Sequence, residues 1–116
     1  WLSRLGADSV EIHVRSIFLQ GLMLQSPRHL PDQFTGWQTL WEQWHAWLTE
    51  NGLTPLQACL HFVLAQQNID RVIVGVDNLS QLEAILAAAA GNCPAIPPAL
   101  QCDDPALINP SHWQSA

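Results

Sequence analysis

Histidine and cysteine are the residue types here best suited to hold a metal, and their spacing argues against it. His13, His29, His45, His61 and His112 form no H-x-x-x-H or H-E-x-x-H pattern, and no C-x-x-C accompanies them. No metal site is expected. Cys59 falls inside an apolar helical pattern and reads as a reduced, buried thiol, while a disulfide between Cys93 and Cys102 is the alternative to two further free thiols. Ser16 lacks the G-x-S-x-G setting of a nucleophile. The chain has no tyrosine, and its four basic residues are all arginines (Arg4, Arg15, Arg28, Arg71). A phenolic proton donor and an amine nucleophile are therefore both missing. What remains is backbone chemistry. In "VIVGVDNLSQLEAIL" (72–86) a short apolar run stops at Gly75 and turns into a helix. The first amides of such a helix lack internal partners and lie at its positive end, which suits a phosphate. A second reading needs no ligand: Asn78 at the cap and Gln81 three residues on can form a capping box that satisfies those amides.

The elements that position this turn alternate in type. "VEIHVRS" (10–16) carries Val10, Ile12 and Val14 in period two and predicts a strand, with His13 on its other face. A loop over 18–36 follows, long enough to suggest a functional role. Residues 37–52 predict a helix with Trp37, Trp41, Trp44, Trp47 and Leu48 on one stripe, more readily a buried face than a docking face, ended by Gly52. Residues 53–67 predict a second helix, capped by Thr54 with Gln57 and opened by Pro55. Its apolar positions Leu56, Cys59, Leu60, Phe62, Val63 and Leu64 wrap so far round that most should be buried. "RVIVGV" (71–76) predicts a parallel strand covered on both faces. Residues 80–90 predict a helix, with Leu79, Leu82, Ile85 and Leu86 inward. The proline-rich stretch 91–116 should lie extended over a surface. The opening "WLSRLGADSV", without an initiator methionine, reads as the tail of a helix entering a strand.

The order is thus two consecutive βα units. Their strands can neighbour each other, but their edges and faces need more cover than 116 residues supply, so a larger sheet is expected. Composition agrees: 48% hydrophobic against 12% charged residues leaves apolar surface for a partner. A net charge of −6 with scattered arginines gives nucleic acid no basic stripe. No apolar run approaches a membrane span and no secretory leader is legible, so the expected location is the cytoplasm.

"VEIHVRSIFLQGLML" and "GLTPLQACLHFVLAQQNIDRVIVGVDNLSQLEAIL" together resemble the last quarter to third of an aldo/keto reductase. The resemblance implies an α/β fold in which residues 1–90 are the last two βα units of a (β/α)8 TIM barrel, incomplete in this chain, followed by a tail over 91–116. It also implies an oxidoreductase that reduces a small carbonyl substrate by hydride transfer from NADPH or NADH (cofactor NADP or NAD). The family's penultimate strand ends in an aromatic residue, then S-P-L and later G-L. Here Arg15, Ser16, Ile17, Phe18 and then Gly21-Leu22 keep the serine and the glycine, and Arg15 stands where the aromatic would stack on nicotinamide. The G-x-x-x-x-x-Q-L of one branch of the family is matched by Gly75, Gln81 and Leu82.

Cofactor contacts implied by the resemblance are Arg15, Ser16, Ile17, Phe18, Leu19 and Gly21 at the first turn, and Gly75, Val76, Asp77, Asn78 and Gln81 at the second. The second turn would hold the adenosine-side phosphate. Asp77 puts a carboxylate where a 2′-phosphate would sit, and Ala84-Ile85 replaces the adenine-contacting E-N pair, which shifts preference toward NADH or weakens binding. The family's catalytic Asp, Tyr, Lys and His lie on earlier strands. These residues alone should carry none of them and be inactive, with the loop over 20–34 bordering the substrate pocket. The alternative is a non-enzymatic half barrel completed by self-association or by a partner.

Overall fold

The computed structural model describes residues 1–113. Its regular elements are α1 (Leu2–Ala7), β1 (His13–Val14), α2 (Gln38–Glu50), α3 (Pro55–Leu64), β2 (Arg71–Val72), α4 (Leu79–Ala89) and α5 (Pro105–Ile108). The strands pair in parallel, His13 opposite Arg71 and Val14 opposite Val72, with α2 and α3 in the crossover between them. The two strands, which could neighbour each other, do so, but both are much shorter than the apolar runs 10–16 and 71–76. Among the described residues each strand has one neighbour, and a ladder persists only where both partners supply hydrogen bonds. Its ends are held by Ile12, whose N–H donates to the Asp70 carboxylate at 2.7 Å, and by Ile73, whose N–H donates to the Val14 carbonyl at 2.8 Å.

The expectation that 71–76 is covered on both faces is corrected: Ile73 is 52% exposed and Val76 41%. The inward set on the last helix is corrected as well. Leu79 and Leu86 are exposed, Leu82 is partly exposed, Ile85 is half-buried, and Ala88 is the buried position. With no third strand among the described residues to lie over, α4 leans on α3 instead, and its end meets His61, whose Nε2 sits 3.3 Å from the Ala90 carbonyl oxygen.

The core lies away from the sheet, where the tryptophan stripe packs. Trp41, Trp44 and Leu48 of α2 are buried with Leu22, Phe34, Ala58 and Cys59. The helix ends as the sequence predicts: Gly52 is left-handed (φ +63), its N–H bonds to the Thr49 carbonyl, and the Leu53 N–H reaches back to Leu48, the paired bonds of a Schellman turn. The start of α3 is a complete capping box, Gln57 N–H to the Thr54 hydroxyl at 3.2 Å and Thr54 N–H to the Gln57 side chain at 2.9 Å. Its burial is one-sided: Ala58, Cys59, Leu60 and Val63 are inside, while Phe62 and Leu64 face out.

The loop over 18–36 is not structureless. It holds 3-10 turns at Leu22–Leu24 and Asp32–Trp37, which drive Leu22 and Phe34 into the core. The tail, expected to be extended, instead folds into Pro98–Leu100, α5 and Pro110–His112. Each of these turns opens with a proline, whose missing N–H is not needed there, and the side chains of Asp104 and Asn109 cap the last two. Ile96, Leu100, Leu107 and Trp113 then pack against the core. Trp113 meets Phe34 edge-on, ring centres 4.9 Å apart, and its indole N–H donates to the Leu107 carbonyl at 2.9 Å.

The molecule is open for its size. Its accessible surface is 8233 Å², where a compact 12.9 kDa chain would expose about 6,300 Å². Its radius of gyration is 15.0 Å, against about 13 Å for a close-packed chain of this length.

Candidate functional site

Parallel pairing sends the segments after β1 and β2 out of the same, carboxyl end of the sheet, so the two predicted turns leave from neighbouring strands. The first is built from unusual backbone. Ser16 (φ 60), Leu19 (φ 50), Gln20 (φ 56) and Gly21 (φ 82) are all left-handed, and glycine alone adopts that conformation without cost. Hydrogen bonds hold the reversal: Leu19 N–H to Ser16, Leu22 N–H to Leu19 and Met23 N–H to Phe18, each at 3.0–3.1 Å. The turn separates its side chains. Ile17, Phe18 and Leu19 are half-buried, while Arg15 and Ser16 are exposed. Arg15 takes part in no ion pair among the described residues; of the carboxylates beside the sheet, Glu11 faces His13 and Arg71, and Asp70 is held by the Ile12 N–H.

In the second turn the Asn78 side chain accepts from the Gln81 N–H at 2.9 Å, one arm of the expected capping box. The other arm is displaced by one residue: Gln81 Oε1 accepts from the N–H of Asp77, at 2.7 Å, rather than from Asn78. The Asp77 and Gln81 amides are thereby taken. Those of Leu79 and Ser80, at the first two helical positions, have no partner within the helix. Gly75, Val76, Asp77, Asn78 and Gln81 are all exposed. A side chain at Gly75 would meet nothing within 4 Å, so this backbone is open to an approaching group.

The predicted residues do not converge on one cavity. A cavity of about 840 Å³ lies between α2, α3 and the tail. Ile17 and Leu19 line it; none of residues 75–81 does. Much of its wall comes from Ile96, Leu100, Leu107 and Ile108 of the tail, which hydrophobic periodicity could not reveal because prolines interrupt it. The grouping of Glu11, His13 and Arg71 on one sheet face was likewise unanticipated. Its signal was the i, i+2 spacing of Glu11 and His13, which puts both on one side of a strand.

Burial tunes the remaining reactive groups away from chemistry. It pushes the Cys59 thiol up to about 12, raises Cys93, and lowers His45, which makes an edge contact with Trp41 at 4.6 Å. Cys93 and Cys102 are free thiols, so the disulfide alternative does not hold. Among the described residues no three His, Cys, Asp or Glu side chains gather as a metal site would require, and no helix is long and apolar enough to cross a membrane.

The model of the aldo/keto reductase family matches residues 8–94, a span that takes in both turns. No curated protein and no solved structure matches the chain.

Proposed function

Because the chain belongs to the aldo/keto reductase family, oxidoreductases that generally use NADPH or NADH, we propose that it supplies the cofactor-binding, carboxyl-terminal portion of a carbonyl reductase acting in the cytoplasm. In that reading residues 1–90 are the last two βα units of a (β/α)8 barrel and 91–116 its tail. The observation that carries the proposal is the parallel pairing of His13–Val14 with Arg71–Val72, which brings two irregular turns to one end of the sheet. In α/β folds that is the end where ligands bind.

The residues present fit a dinucleotide at both turns. The free amides of Leu79 and Ser80 would donate to a phosphate, with Asn78 and Gln81 holding the turn in shape and Gly75 and Val76 leaving the approach open. Asp77 would repel a 2′-phosphate and so favour NADH. At the first turn the exposed Arg15 offers a guanidinium plane to an aromatic ring, while Ser16, Ile17, Phe18, Leu19 and Gly21 form the floor beneath it. The dinucleotide supplies the hydride when bound. With no tyrosine and no lysine in these 116 residues, the proton donor belongs to other polypeptide, and the chain alone reduces no carbonyl.

Titration with NADH and NADPH, followed by tryptophan fluorescence, tests the reading. Quenching that saturates is expected, stronger with NADH; no response to either overturns it.

A second reading has its own support. Ile73 and Val76 after β2 and Leu79, Leu82 and Leu86 on α4 are exposed apolar residues, and monomers seldom leave so many large apolar side chains uncovered. A half barrel that self-associates through this face would be an interaction module. Sedimentation equilibrium decides it: a concentration-independent monomer overturns self-association.

A further inference from the structure

Exposure alternates along the first strand and its flanks: Glu11, His13 and Arg15 are exposed, Ile12 is buried and Val14 half-buried. Three ionisable side chains thus leave one face of the sheet, and Arg71, opposite His13 in the ladder, adds a fourth. Their charges are not evenly matched. Glu11 is shared between His13 and Arg71, 3.4 Å from the Arg71 Nε, and the Asp70 carboxylate accepts from the Ile12 N–H. Arg15, the last of the row and the residue that enters the first turn, is left without a counter-charge among the described residues.

An unmatched cation here separates the two redox states of a dinucleotide. The oxidised nicotinamide ring is positively charged and the reduced ring is neutral, while phosphates and adenosine are the same in both. With a phosphate on the free amides of Leu79 and Ser80 at the neighbouring turn, the ring end is left for Arg15, which meets a cation in one state and a neutral π-face in the other. An aromatic side chain in its place would act in the reverse sense, its ring face attracting the cationic nicotinamide. The charge of the whole chain also opposes Arg15: at −6 it favours the oxidised form, the less negative of the two, but weakly, because distant charges are screened. A preference for the reduced form has to arise locally.

Resting on the cofactor reading above, we infer that Arg15 makes this site selective for NADH over NAD+. Two like charges a few ångströms apart at a solvent-exposed site weaken binding of the oxidised form about fivefold. By linkage the bound reduced form becomes the weaker hydride donor, by about 20 mV for a two-electron couple. The advantage therefore lies in loading and release: the site takes up the reduced cofactor and gives up the oxidised one.

Calorimetric titration of the 116-residue protein with NADH and with NAD+ at low salt reads the ratio of affinities without turnover. NADH should bind about fivefold more tightly; equal affinity, or tighter NAD+, overturns the inference. Arg15→Gln should bring the ratio close to one by strengthening NAD+, and Arg15→Tyr should carry it to one or past it; an unchanged ratio in either variant overturns the assignment. Were Arg15 to hold a phosphate instead, Arg15→Gln would weaken both forms alike and leave the ratio as it was. Raising the ionic strength should shrink the native ratio, and a preference indifferent to salt overturns its electrostatic basis. If neither form binds, the cofactor reading falls and this inference with it; if both bind equally, only this inference falls.

Discussion

Gln81 reaches past the cap residue to take the backbone N–H of Asp77, at 2.7 Å, while its own N–H is held by Asn78 at 2.9 Å. One residue thus pins both ends of the second turn, through its side chain and its backbone N–H. Gln81→Ala should cost about 1 kcal/mol of stability, as loss of one capping interaction does. It should also weaken NADH binding more than Asn78→Ala does, since it frees Asp77 to move. Urea unfolding and calorimetry measure the two effects.

Asp77 sets cofactor choice in the proposed mode. Asp77→Ser removes a like charge from beside a 2′-phosphate and should raise NADPH affinity about three- to tenfold at low salt, with little effect on NADH. Parallel titrations at low and high ionic strength check it, because an electrostatic gain shrinks as salt rises.

Stability should depend on His45. Burial holds its pKa below the ordinary 6.5, so the unfolded chain takes up the proton first. The contribution is complete above pH 6.5 and declines as pH falls below that value toward the lowered folded pKa. Urea midpoints measured from pH 8 to pH 5 should fall for the native sequence and fall less for His45→Gln.

The three free thiols should separate by environment. Cys59, buried and pushed up to about 12, has almost no thiolate near neutrality. Iodoacetamide at pH 8 should modify Cys93 and Cys102 in the folded protein, and Cys59 only after denaturation. Mass spectrometry of the alkylated peptides reads this directly.

The core prediction is the largest. Leu48 is 3% exposed within the tryptophan cluster, and Leu48→Ala should cost about 2–5 kcal/mol. Trp113→Ala should cost less, about 1 kcal/mol for the edge contact with Phe34, but should make the tail the first site of limited proteolysis.

What the sequence disclosed depended on how local the cause was. Thr54, Pro55 and Gln57 specify a helix start through groups three residues apart, and the capping box formed. The spacing of Trp41, Trp44 and Leu48 specifies a buried stripe, and that face became the core. Where the outcome hangs on distant partners, local pattern said less. Val10 to Val76 carry strand-like apolar runs, but hydrogen bonding between two neighbours covers only His13–Val14 and Arg71–Val72. Leu79, Leu82 and Leu86 mark an apolar helix face without specifying what lies opposite it. The tail's helical turns follow from Asp104, Asn109 and the prolines behind them, a capping signal that proline content obscured. Of the candidate site, the turn positions were legible; the tail's share in the cavity, which no periodicity marks, was not.

Gly6 of α1 lies so close to Asn68 that a Cβ there would fall 2.5 Å from the amide oxygen. Two residues further on, Asp70 grips Ile12 through both its carboxylate and its N–H. A methyl group at position 6 would have to turn the Asn68 amide aside, so the absence of a side chain there is what lets α1 lie directly against the segment that leads into the Asp70 clamp.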